Sequence, residues 1–184
     1  MKKVLWLLCT TLLWTCGDGL TSNKFSNLPA YFSFTPVASA PVLFTSLNSP
    51  GEWCTITLDQ TGKRVLFAGT ARTDTVNLTA LQNYQRLYLG LSGGLIAGLP
   101  NVPELGQDQP AVTCYDLACR NCYEERNTTP RLKLTASGTA RCTRCQRAYN
   151  LNAEGLVSEG TAGKALLRYR IYYNGGNAVA VSNP

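Results

Sequence analysis

Four of the eight cysteines in this 184-residue chain fall into two pairs. Cys119-Arg120-Asn121-Cys122 is followed, nineteen residues on, by Cys142-Thr143-Arg144-Cys145. Two C-x2-C pairs at that separation have the spacing of a four-thiolate metal site. Each pair can turn tightly enough for both sulfurs to face one ion. The residues between are enough for a hairpin that returns the second pair to the first. A tetrahedral ion held in this way keeps no open position, which marks a structural rather than a catalytic site. The chain contains no histidine, which removes Ser-His-Asp and Cys-His nucleophilic machinery. No motif brings two carboxylates together for glycoside chemistry. Thiol–disulfide exchange is a third class of reaction open to C-x2-C. It prefers a pair at a helix N-terminus in a thioredoxin-like setting, and the sequence suggests neither.

The start of the chain decides the compartment in which these thiols are read. Met1-Lys2-Lys3 is a basic lead, and the apolar run of residues 4–13 is too short for a stable membrane span. It reads as an export signal over residues 1–15. Leu13-Trp14-Thr15-Cys16-Gly17 looks like a bacterial lipobox, so Cys16 is the expected lipidation site and the new N-terminus. Residues 16–30 then serve as a tether, and the protein is placed in the cell envelope on a lipid anchor. Cys9 leaves with the signal. Cys54, Cys114 and the two pairs remain, and in an oxidising compartment disulfides compete with metal. A Cys54–Cys114 bridge is one possibility. The net charge falls from +6 to +4 without Lys2 and Lys3, and an exported chain gives no reason to expect a nucleic-acid partner.

The elements that must position the cysteines read as strands. Hydrophobic residues make up 45% of the chain and charged residues 15%, which excludes a disordered chain. Trp53-Cys54-Thr55-Ile56-Thr57-Leu58, a turn over residues 59–62, and Arg64-Val65-Leu66-Phe67 predict a hairpin. Residues 84–91 alternate as a half-buried strand, and Leu95-Ile96-Ala97 resumes after Gly93-Gly94. Residues 99–110 carry three prolines and form a loop. Ala111-Val112-Thr113-Cys114-Tyr115 delivers the chain to the first pair. A hairpin of Arg131-Leu132-Lys133-Leu134 with Thr139-Ala140-Arg141 feeds the second, and residues 148–151 leave it. Leu167, Tyr169, Ile171 and Tyr173 alternate with polar or outward residues, and Asn174-Gly175-Gly176 turns the chain into a last strand, 178–181. No amphipathic helix stands out.

The run from Val112 to Val181 resembles a Rieske-type domain, and is similar to Rieske-like lipoproteins of the bacterial envelope. Tyr115-Asp116-Leu117-Ala118-Cys119 leads into a first metal loop, and Ala140-Arg141-Cys142-Thr143-Arg144-Cys145 forms a second. Tyr149-Asn150-Leu151, Glu154-Gly155, Gly160-Thr161-Ala162 and Leu167-Arg168-Tyr169 complete the pattern. The resemblance implies an all-β fold of small antiparallel sheets over residues 31–184, with a metal-binding subdomain at about 112–165. In that family two loops hold a 2Fe-2S cluster through Cys-x-His and Cys-x-x-His. Here Asn121 stands at the first histidine, with Cys122 after it, and Cys145 stands at the second. A true Rieske centre is therefore impossible.

Cys119, Cys122, Cys142 and Cys145 remain as the expected ligands. Zinc needs four sulfurs at about 2.3 Å from one ion, and ranks first. Disulfide pairs rank second, and a single iron or a 2Fe-2S cluster third. An all-thiolate cluster would sit at about −400 mV, against about −150 to +300 mV for histidine-ligated centres. Arg120, Arg126, Arg131, Lys133, Arg141, Arg144 and Arg147 outnumber Glu124 and Glu125 around the pairs. Such cations can offset a dianionic zinc–thiolate centre. The expected protein is a non-enzymatic binding or structural module. Electron transfer on iron is the alternative.

Overall fold

A computed structural model describes residues 24–80, 87–135 and 138–183. The expected export segment, residues 1–15, and the expected lipidation site Cys16 lie outside the described residues. Among the described residues the fold is all-β, with three antiparallel sheets, two short α-helices and a turn of 3-10 helix at Val37–Ser39.

The central sheet has six strands. β2 (Trp53–Leu58) pairs with β3 (Arg64–Ala68), and β3 with β4 (Thr73–Asn77). The other edge of β2 pairs with β5 (Gly94–Gly98), then β6 (Thr113–Asp116), then β11 (Arg168–Tyr169). The β2–β3 hairpin is the one expected. Its turn closes on Asp59, whose carboxylate accepts from the Lys63 and Arg64 amides and from the Arg64 Nε at 2.9 Å.

Alternation along these strands sends side chains to two cores. Cys54, Ile56, Leu95, Ala97 and Cys114 face one side, where they meet Phe32, Phe34, Val179 and Val181. Those four belong to a three-stranded sheet of β1 (Ala30–Phe34), β13 (Val179–Asn183) and β12 (Ile171–Tyr173). Trp53, Ile96 and Tyr115 face the other side and pack on the cysteine region. That region carries the third sheet. Its strands, in spatial order, are β10 (Leu156–Glu159), β9 (Ala148–Asn150), β8 (Thr139–Arg141) and β7 (Lys133–Thr135).

Several expectations change. The pattern suggested no helix, yet α1 (Pro41–Asn48) and α2 (Arg120–Arg126) form. α1 begins on Pro41, whose missing N–H costs nothing there. The Val42 amide donates to Asp74 of β4 at 2.5 Å. The expected strand over 84–91 is not found in its described part: Tyr88 makes an isolated bridge to Tyr31, and Leu89 is buried in the first core. β4 and β10 were not anticipated. Residues 24–30, expected in the tether, are held against the domain. Ser26 donates its amide to the Arg168 carbonyl, and Asn183 Nδ2 donates to the Ser26 and Leu28 carbonyls.

The Cys54–Cys114 bridge is absent: both are free, buried thiols. The register places each opposite Ala97, one on either side of β5. Two strand spacings separate them by about 9.6 Å, beyond the roughly 7 Å that a disulfide can bridge. Burial pushes the Cys54 thiol up to about 12 and raises Cys114 well above the ordinary range.

β6 aims the chain into the cysteine region. Asp116 at its end is buried and accepts from Tyr169 Oη at 2.6 Å, the Leu91 amide at 2.7 Å and the Ala118 amide at 2.6 Å. Burial raises its carboxyl, and the three donors fix the chain direction three residues before Cys119.

Candidate metal centre

Cys119 is the N-cap of α2, and Cys122 lies in its first turn. The first pair therefore sits at a helix start, not in the open loop that the sequence suggested. The C-x2-C spacing is what puts both sulfurs on one side of that turn. α2 ends with Asn127 in the left-handed region, φ 49°, where its amide returns to the Cys122 and Tyr123 carbonyls. The second pair is a tight turn between β8 and β9. The Cys142 amide donates to the Arg147 carbonyl, and the Gln146 amide to the Cys142 carbonyl. Gln146 takes φ 62° to close it.

The two pairs converge. All four Sγ atoms lie within 4.8 Å of one another. Cys119 Sγ is 3.6 Å from Cys145 Sγ, and Cys122 Sγ is 3.8 Å from Cys142 Sγ. Close contacts thus link one pair to the other. Cys119, Cys122 and Cys142 are buried, Cys145 is half-buried, and all four are free. Around them pack Leu117, Leu132, Ala140, Leu151 and Leu166.

Protonation differs around the cluster. Burial raises the Cys119 thiol, and burial together with the neighbouring thiols raises Cys122 strongly. Cys145 goes the other way. Burial opposes its ionisation, but the Arg147 amide and the three other sulfurs bring it down to about 7. Four convergent thiols of which one ionises readily can bind a soft metal ion.

No family model, curated protein or solved structure matches the chain. What the site can do therefore rests on its own atoms.

Three neighbours that spacing did not single out complete the centre. Tyr149 on β9 is fully buried and places its hydroxyl 3.0 Å from Cys119 Sγ. Asn121 Nδ2 donates to that hydroxyl at 3.0 Å and to the Lys164 carbonyl at 2.8 Å. With an oxygen lone pair so engaged, the Tyr149 proton is free to point at sulfur. Asn121 Oδ1 in turn accepts the Lys164 amide at 2.9 Å. The residue at the resemblance's histidine position is thus a buried brace between α2, β9 and the 160–164 segment. A Cβ added at Gly163 would stand 2.5 Å from Asn121 Oδ1, so glycine permits that approach.

The third neighbour is Arg147. Its buried guanidinium donates to Glu125 of α2 at 2.8 and 3.2 Å, and to the Thr161 and Ala162 carbonyls. It also lies beside Cys145: the Glu125 carboxylate first, then this sulfur, raise its already high pKa. The expected halo of cations is narrower than the sequence suggested. Arg120 pairs with Glu124 and Arg141 with Glu159, while Arg131 caps the Ser92 and Gly93 carbonyls. Of the seven cations, Arg147 alone has a described contact with a site cysteine.

Proposed function

We propose that Cys119, Cys122, Cys142 and Cys145 bind one zinc ion, whose role is to hold α2 to the β8–β9 turn in a non-enzymatic, lipid-anchored envelope protein. The observation that carries the reading is the 4.8 Å ceiling on every sulfur–sulfur distance. Sulfurs at about 2.3 Å from one tetrahedral ion stand about 3.8 Å apart, close to the 3.6 and 3.8 Å of the two nearest contacts. A 2Fe-2S cluster needs thiolates on opposite irons farther apart than those on one ion. The geometry therefore favours a single ion over a cluster.

The ion would cross-link two pieces of chain that otherwise meet through Tyr149, Asn121 and the Arg147–Glu125 pair. Asn121 and Tyr149 orient Cys119, and Arg147 offsets charge at Cys145. The half-buried Cys145 leaves a route to solvent, and this favours one second reading: a single iron in the same tetrahedron, exchanging electrons through that edge. The three sheets and the hairpin between the pairs agree with a Rieske-like scaffold, and the lipobox supports the anchor. Protein purified from its native envelope tests the reading. One equivalent of zinc without iron or sulfide is expected. Stoichiometric iron with visible absorption would replace zinc by the redox reading.

A further inference from the structure

We infer that the face carrying Lys24, Phe25, Arg120, Lys164 and Arg170 docks on an anionic lipid surface, and so fixes how the metal centre stands on the membrane. The inference rests on the lipid-anchor reading of Cys16. It begins from where the described chain starts. Lys24 pairs with Glu104, which also pairs with Arg168. The Phe25 ring lies under the Arg168 and Arg170 guanidinium groups, at 5.6 and 4.8 Å. Together with the bonds at Ser26 and Leu28, these contacts pin the N-terminal stretch beside β11.

Only eight peptide units separate Cys16 from Lys24, a reach of at most about 29 Å however they are arranged. A domain of this size is roughly 40 Å across. The leash is thus too short for the β3–β4 edge, at the opposite end of the six-stranded sheet, to turn toward the bilayer. The side that must face it is the pinned one. A cavity of about 370 Å³ opens there, between residues 24–28 and α2, with Arg120, Tyr123 and Arg168 in its wall. Lys164 and Arg120 share Glu124, and Lys24 and Arg168 share Glu104. Each carboxylate thus serves two cations, and Arg170 is exposed, so the face carries net positive charge. An anionic leaflet attracts such a face within a Debye length.

The experiment uses the full lipidated protein in vesicles of phosphatidylcholine with one third phosphatidylglycerol, in neutral vesicles and in detergent micelles. An uncharged acylating ester labels lysines, and mass spectrometry follows each site. Lys164 is exposed, and Lys63, in the β2–β3 turn, is the distant control. On anionic vesicles Lys164 should react at least about five-fold more slowly than in micelles, while Lys63 keeps its rate. The protection should disappear at about 1 M salt, where the Debye length is about 3 Å, and in Arg170→Glu. A Lys164 rate that is the same on anionic vesicles as in micelles, with lipid mass present on the Cys16 peptide, would overturn the docking alone. Absence of lipid on Cys16 would overturn the anchor and the docking together.

Discussion

Tyr149 is placed to tune the proposed metal site without being one of its ligands. Its hydroxyl is held by Asn121 and aimed at Cys119 Sγ. A hydrogen bond to a charged acceptor contributes about 1.5–3 kcal/mol. Tyr149→Phe should therefore lower the unfolding free energy of the metal-loaded protein by about that amount in urea titration, and speed metal loss to a chelator. Unchanged stability and release would show that the hydroxyl does not act on a thiolate. Gly163→Ala forces a methyl group onto Asn121 Oδ1, and should cost about 1–3 kcal/mol as overpacking does. Cys145 offers a pH test. Its pKa of about 7 lies below the ordinary thiol value, so in metal-free, reduced protein its stabilising contribution is present above the unfolded value and is lost as pH falls through about 7. Iodoacetamide should accordingly alkylate Cys145 first, with a rate rising through pH 7. Cys119 and Cys122 should follow only at higher pH, because burial raises them. Alkylation of these three at one common rate would contradict the asymmetry.

At the scale of elements, legibility followed how local the cause was. The β2–β3 hairpin was plain because Asp59, Thr61 and Arg64 settle the turn among themselves. The cysteine pairs were plain because spacing alone constrains where sulfurs can go. α1 was hidden because a donor in its first turn is satisfied by Asp74, thirty-two residues away. α2 was hidden because its buried residues, Asn121 and Cys122, gain their partners only from β9, the 160–164 segment and the second cysteine pair. The alternation through 167–173 is a continuous period of two in the sequence. It divides at Arg170: β11 joins the central sheet and β12 the three-stranded one, a change of partner that alternation does not reveal. Metal loss should follow these seams. In Cys142→Ser, hydrogen exchange should accelerate in α2 and in β7 to β10, while β2, β5 and β6 stay protected, because they lie inside the six-stranded sheet. Uniform loss of protection across both regions would mean that the ion supports the whole fold.

Across the whole molecule, the central sheet separates two jobs. One face closes a conventional core in which Cys54 and Cys114 are inert, buried thiols. The other face supports a small sheet that is closed by four sulfurs. All-β architecture and the identity of the four cysteines were legible in the sequence; the Tyr149 hydroxyl at Cys119, the bracing role of Asn121, the buried Arg147–Glu125 pair and the packed N-terminal stretch emerged only from the fold. The most direct test of the central claim is a joint count of metal, sulfide and thiols on protein taken from its envelope, denatured and chelated. The account predicts one equivalent of zinc, no labile sulfide, and reactive thiols at Cys119, Cys122, Cys142 and Cys145. Disulfides at those four positions with no metal released would contradict it.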